Sequence, residues 1–197
     1  MNALANEKVG DYLNDHFVSS FLKVGTFTIA NGQKQGGNVA TYFCLPDGSV
    51  LHAIAGPVNA ETFLREARWA VETRKMATFE ANGSPQKYRD LLRKAHAERL
   101  QSEAGLNARQ VQIYAPRIPG ATLATSPLPQ DAMNAYGRGK VHSTRDFAGH
   151  HHQGLGNQTQ VHLIMANYPL VKVQEVYKYV FERILNERVS NLPVVQN

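Results

Sequence analysis

The chain has one cysteine, Cys44, and one tryptophan, Trp69, among its 197 residues. A lone cysteine excludes an internal disulfide, and with it the small scaffolds that depend on several. No run of about 18 apolar residues occurs, so no membrane-spanning helix is expected. The first twenty residues hold Glu7, Asp11 and Asp15 without an apolar block, which gives no secretory signal and predicts a cytoplasmic chain. If Met1 is an internal residue of a longer protein, an extracytoplasmic place stays open. A concentrated charge of one sign is lacking too. The net +5 comes from three basic against four acidic groups over residues 1–59, nine against seven over 60–106, five against two over 107–165 and four against three over 166–197. Nucleic-acid binders gather their basic residues on one face or loop, so a nucleic-acid partner is not expected.

What is present suits one domain with a core and an extension, at 43% hydrophobic residues. Residues 3–15 read as a short helix in which Leu4, Val9 or Tyr12, and Leu13 share a face, ended by Asn14-Asp15. Phe17 to Val24 is rich in aromatic and β-branched residues and predicts a strand. Residues 26–37, punctuated by Asn-Gly and Gly-Gly, predict a loop. Val39–Leu45 and Val50–Ala55 are apolar runs joined by Pro46-Asp47-Gly48, whose proline presets a turn and whose glycine accepts a positive φ, so they predict a β-hairpin. Asn59 then caps a helix with Glu61 in its first turn. Phe63, Leu64, Ala67, Ala70 and Val71 form one stripe that packs on the hairpin.

Ser84-Pro85 opens another helix, with Tyr88, Leu91, Leu92 and Ala95 on one face and Gly105 at its end. From about 107 to 160 the pattern dissolves into Gly, Pro, Gln, His and Asn, apart from a candidate strand at Val111–Tyr114. A loop of that length is uncommon inside a compact domain unless it is functional or mobile. Val161–Met165 predicts a strand and Val173–Val189 a last helix. Val173, Val176, Tyr177, Val180, Phe181, Ile184, Leu185 and Val189 give that helix a broad apolar face. Each large side chain there stabilises by about 2 kcal/mol when buried, so the face either caps the core or meets a partner, including a second copy of the chain.

The passage Val9-Gly10-Asp11-Tyr12-Leu13-Asn14-Asp15-His16-Phe17-Val18, the Ala40–Ala55 hairpin with its Pro-Asp-Gly turn and the helix from Glu61 to Ala77 together resemble the closing half of the thioredoxin-like superfamily. The resemblance covers roughly residues 3–80. It implies an α/β fold, an incomplete thioredoxin-like sheet with packed helices over 1–82 and a C-terminal helical extension over 83–197. The Cys-X-X-Cys of that family has no counterpart here, and Val39 stands where the family places a cis-proline. The central strand that the fold needs would come from a segment before Met1, from Val161–Met165 or from Val111–Tyr114.

The chemistry on offer is sparse. His142, His150, His151, His152 and His162 form a histidine-rich stretch, and neutral imidazoles bind zinc, copper or nickel. Adjacent histidines on an extended chain point in different directions, and the spacing matches no structural zinc motif. Cys44 lies between Phe43 and Leu45 with no basic neighbour to activate it, which suits a buried core thiol. Gly137-Arg138-Gly139-Lys140 lacks the spacing of a phosphate loop. Trp69, next to Arg68, is a candidate protein-partner anchor or a core-edge aromatic. No Ser-His-Asp or paired-carboxylate pattern is present. The leading expectation is therefore a thioredoxin-like domain acting through binding to protein, or the remainder of a longer thiol-disulfide oxidoreductase. The alternative is a metal-binding protein using residues 142–162 to hold zinc or another transition metal. A polyanion site at Arg138, Lys140 and Arg145 comes third.

Overall fold

The structure is a computed structural model that describes residues 3–24, 27–30, 33–36, 38–113, 115–128, 155–190 and 195–196. Among them the chain is mixed α/β. A short 3₁₀ turn, Ala3–Ala5, precedes helix α1, Glu7–His16. Strands β1, Phe27–Ala30, and β2, Gln33–Gly36, pair antiparallel, and β1 also pairs in parallel with β5, Val195–Gln196. Strands β3, Ala40–Cys44, and β4, Val50–Ala55, form a separate antiparallel sheet. The remaining helices are α2, Ala60–Ala81; α3, Pro85–Ala104; α4, Ala108–Ile113; α5, Asn157–Asn167; and α6, Val173–Tyr179, which runs on as a π-helical turn over Val180–Ile184.

The local signals that name these elements act as their chemistry requires. Gly48 takes the positive φ of the hairpin turn, +79°, which a glycine adopts without a Cβ penalty. Asn59 Oδ1 accepts from the Thr62 amide at 2.8 Å, and Ser84 Oγ accepts from the Lys87 amide with Pro85 in the first turn of α3. Gly105 closes α3 in the left-handed region.

Strand β4 is the centre of the molecule, buried along its whole length. Ile54 packs with Val9 of α1 and with Phe63, Ala67 and Ala70 of α2. Ala53 and Ala55 pack with Val161 and Ile164 of α5 and with Phe181 and Ile184 beyond α6. Leu51 meets Ala77 and Leu92 of α2 and α3. The last segment is thus accounted for inside the chain: Val176, Val180, Phe181, Ile184 and Leu185 cover the hairpin and α5, and the helical run stops at Ile184, short of Val189.

Two polar ties fix the layers. The Val50 amide donates to the Val171 carbonyl at 2.8 Å and the Val173 amide to that of Gly48 at 3.0 Å. Lys172 Nζ reaches Asp47 Oδ2 at 2.6 Å and Ser49 Oγ at 2.9 Å. The hairpin turn is therefore docked on the α5–α6 connection. Arg93, itself buried, donates to the carbonyls of Ala166 and Ser126 and pins the end of α5 to the chain before residue 129.

Several expectations are corrected. Phe17–Val24 is not a strand; it is irregular, with Val18, Phe21 and Leu22 almost wholly in water. Its apolar residues come in pairs, 17–18 and 21–22, so it has β propensity without the one-sided alternation that a half-buried strand needs. Val161–Met165 is a turn of α5 and Val111–Ile113 belongs to α4. A short apolar run reads alike as a buried strand or a buried helix, and every residue from Val161 to Asn167 is buried. The stretch 26–37 carries β1 and β2, where a loop is expected. Among the described residues, β3–β4 has no further strand beside it, so the Phe17 segment and the hairpin do not share a sheet.

Candidate metal centre

Three buried histidines converge beneath β4. His52 comes from that strand, His96 from α3 and His162 from α5, and each is essentially without solvent contact. One ring nitrogen from each lies within 4.8 Å of the other two. The ring centres are 5.0 to 5.7 Å apart. Trp69 of α2 stands edge-on to all three, 4.8 Å from His52, 4.9 Å from His96 and 5.5 Å from His162.

The protons of the cluster follow from its acceptors. His96 Nε2 is 2.9 Å from the Leu51 carbonyl, which only accepts, so this nitrogen carries the hydrogen and Nδ1 is bare. His96 Nδ1 lies 2.8 Å from His162 Nδ1, which must then be the donor. That leaves His162 Nε2 bare. His52 Nε2 donates to Glu66 Oε2 at 3.0 Å, and His52 Nδ1 is bare. Both His52 Nδ1 and His162 Nε2 are buried without a hydrogen-bond partner.

Burial keeps the three rings neutral. It holds His96 and His162 well below the ordinary histidine pKa, and neighbouring His52 adds to this in both cases. His52 is also lowered by burial, against the opposing pull of Glu66. Glu66 behaves differently: burial pushes its carboxyl up, yet its hydrogen bonds to His52 and Arg99 outweigh that and hold it below the usual range. Arg99 grips both carboxylate oxygens, Nη1 to Oε2 at 2.6 Å and Nη2 to Oε1 at 3.2 Å. It also pairs with Glu103 at 2.8 Å and stacks 4.9 Å over the Trp69 ring.

No family model, no curated protein and no solved structure matches the chain. The chemistry of the site therefore stands on its own geometry. Three neutral imidazoles, each with a lone pair to offer, are the donor set of zinc, copper and nickel. With zinc–nitrogen bonds of about 2.0 Å, tetrahedral ligand atoms stand roughly 3.3 Å apart, so the three rings would draw in from their present spacing to hold an ion.

Of the histidines expected to bind metal, only His162 is in this cluster; His142, His150, His151 and His152 lie outside the described residues, as do Arg138, Lys140 and Arg145. Trp69 is half-buried, with an outer side lining a groove of about 480 Å³ beside Leu64, Arg65 and Arg68. Cys44 is partly buried and its thiol is pushed up to about 11, by burial first and then by Asp47. Sequence reading missed His52, His96 and Glu66. Each is a polar residue at an interior position: His52 within Val-Leu-His-Ala-Ile-Ala, His96 midway between Leu92 and Leu100 on the inner stripe of α3, and Glu66 beside Phe63, Ala67 and Ala70. A buried polar residue needs a partner, and that was the available signal.

Proposed function

We propose that this protein binds a divalent transition-metal ion, zinc or a comparable imidazole-binding ion, at His52, His96 and His162. The observation that carries the reading is the pair of bare, buried nitrogens, His52 Nδ1 and His162 Nε2. A histidine cluster that served only as a polar core would satisfy its nitrogens with hydrogen bonds. An ion accepts those lone pairs and needs no further proton. Because its ligands come from β4, α3 and α5, it cross-links segments far apart in sequence, and its surroundings of Trp69 and buried apolar side chains suit a structural role.

The metal reading made from the sequence is thereby moved from the 142–162 stretch to a centre that shares His162 with it. Of the elements that carry the thioredoxin-like resemblance the hairpin and α2 form, but among the described residues the hairpin sheet has two strands only, and the resemblance adds no chemistry to this site. Calorimetric titration with zinc separates the two metal placements. One ion per chain is expected, with binding lost in H52A and H96A and retained in the triple variant H150A/H151A/H152A. The reverse pattern would place the ion in the 142–162 stretch, and no binding by the unaltered chain would remove the proposal.

A further inference from the structure

His52 is the one histidine of the three whose proton position is contested. Glu66 Oε2 lies 3.0 Å from its Nε2 and calls for a hydrogen there, whereas the Gln158 amide nitrogen lies 3.2 Å from the same atom and calls for a lone pair. Gln158 has another acceptor, the Ala53 carbonyl at 2.9 Å, so it does not depend on His52. Glu66 is paired through both oxygens with the Arg99 guanidinium, as a carboxylate is, and a hydrogen bond to a charged acceptor is roughly twice as strong as a neutral one. Its position is not free either, since Arg99 holds both of its oxygens and Arg65 Nε donates to Oε1 at 3.1 Å. The opposite tautomer would set a carboxylate against a lone pair at Nε2 and bury an Nδ1–H with no acceptor.

We propose that Glu66, clamped by Arg99, is the positioning residue that holds His52 in its Nε2–H tautomer and keeps Nδ1 bare for the ion. The inference rests on the metal reading for its last clause only. It follows the general design in which a ligating imidazole gives its second N–H to a carboxylate or carbonyl, with the Leu51 carbonyl serving His96 in the same way. The carboxylate therefore acts through His52 rather than on the ion.

The test uses the whole 197-residue chain, free of metal, and long-range proton–nitrogen correlation spectra of its imidazoles, followed by zinc titration. In the unaltered protein His52 is expected to show a protonated Nε2 and a bare Nδ1. E66Q keeps an oxygen acceptor, so the tautomer should persist. E66M removes the acceptor; the tautomer should become mixed or reverse, and zinc affinity should fall roughly 10- to 100-fold, the usual cost of losing such a partner. A protonated Nδ1 in the unaltered protein would overturn the inference, and so would an E66M chain that keeps both tautomer and affinity. Should E66M fail to fold, the spectrum of the unaltered chain decides. If that spectrum shows the Nε2–H form while zinc does not bind, Glu66 keeps its positioning role and the metal reading is the part that fails.

Discussion

His96 Nδ1 and His162 Nδ1, 66 residues apart in the chain, lie 2.8 Å from each other across the contact between α3 and α5. His162 Nδ1 donates the one hydrogen between them to His96 Nδ1, a contact that His96 would give up to bind an ion through that nitrogen. This contact, the bare nitrogens and the Glu66–Arg99 clamp together make one centre built from several buried polar groups.

Trp69 makes the site visible in solution. It is the only tryptophan of the chain, and its ring stands 4.8 to 5.5 Å from the three imidazoles. Nickel or copper should quench its fluorescence saturably at one equivalent, and H96A should abolish the effect. A change that is linear in metal and the same in H96A would show collisional quenching instead.

Cys44 should behave as a poor nucleophile. Its pKa of about 11 follows from burial and from the Asp47 carboxylate, and a thiol near 11 rather than near 8.5 carries on the order of 100-fold less thiolate at pH 8. Alkylation followed by mass spectrometry should be correspondingly slow at pH 8 and rise steeply toward pH 11. Reaction at pH 8 as fast as that of a free thiol would contradict the structure.

Asp47 should titrate at about pH 2, depressed by its hydrogen bonds with Lys172 and with Ser49. The folded value is below the unfolded one of about 3.9, so the stabilisation is complete above the unfolded pKa and disappears as pH falls through about 2. Carbon-13 titration of the carboxyl checks the midpoint, and K172M should raise it. A midpoint near 4 in the unaltered chain would show that the turn is not held by Lys172.

The sequence makes the hairpin, α2, α3 and their caps legible, because Pro46-Asp47-Gly48, Asn59, Ser84-Pro85 and Gly105 act locally. It misleads at Phe17–Val24 and Val161–Met165, where propensity and apolar content are present but the partner surface decides the outcome. His162 was visible within a histidine-rich stretch, yet its two companions were not, since they sit 110 and 66 residues away and meet it only through packing. His52 reads as one polar residue in an apolar strand and Glu66 as one acid on a charged helix. Their significance appears when β4, α2, α3 and α5 are brought together.

X-ray absorption at the zinc edge, on the full chain loaded with one equivalent of zinc and then dialysed, measures the central claim most directly. The account predicts retained zinc with three imidazole nitrogens at about 2.0 Å, and a loss of that imidazole signal in H52A. Zinc that dialyses away, or a first shell of oxygen alone, would contradict it.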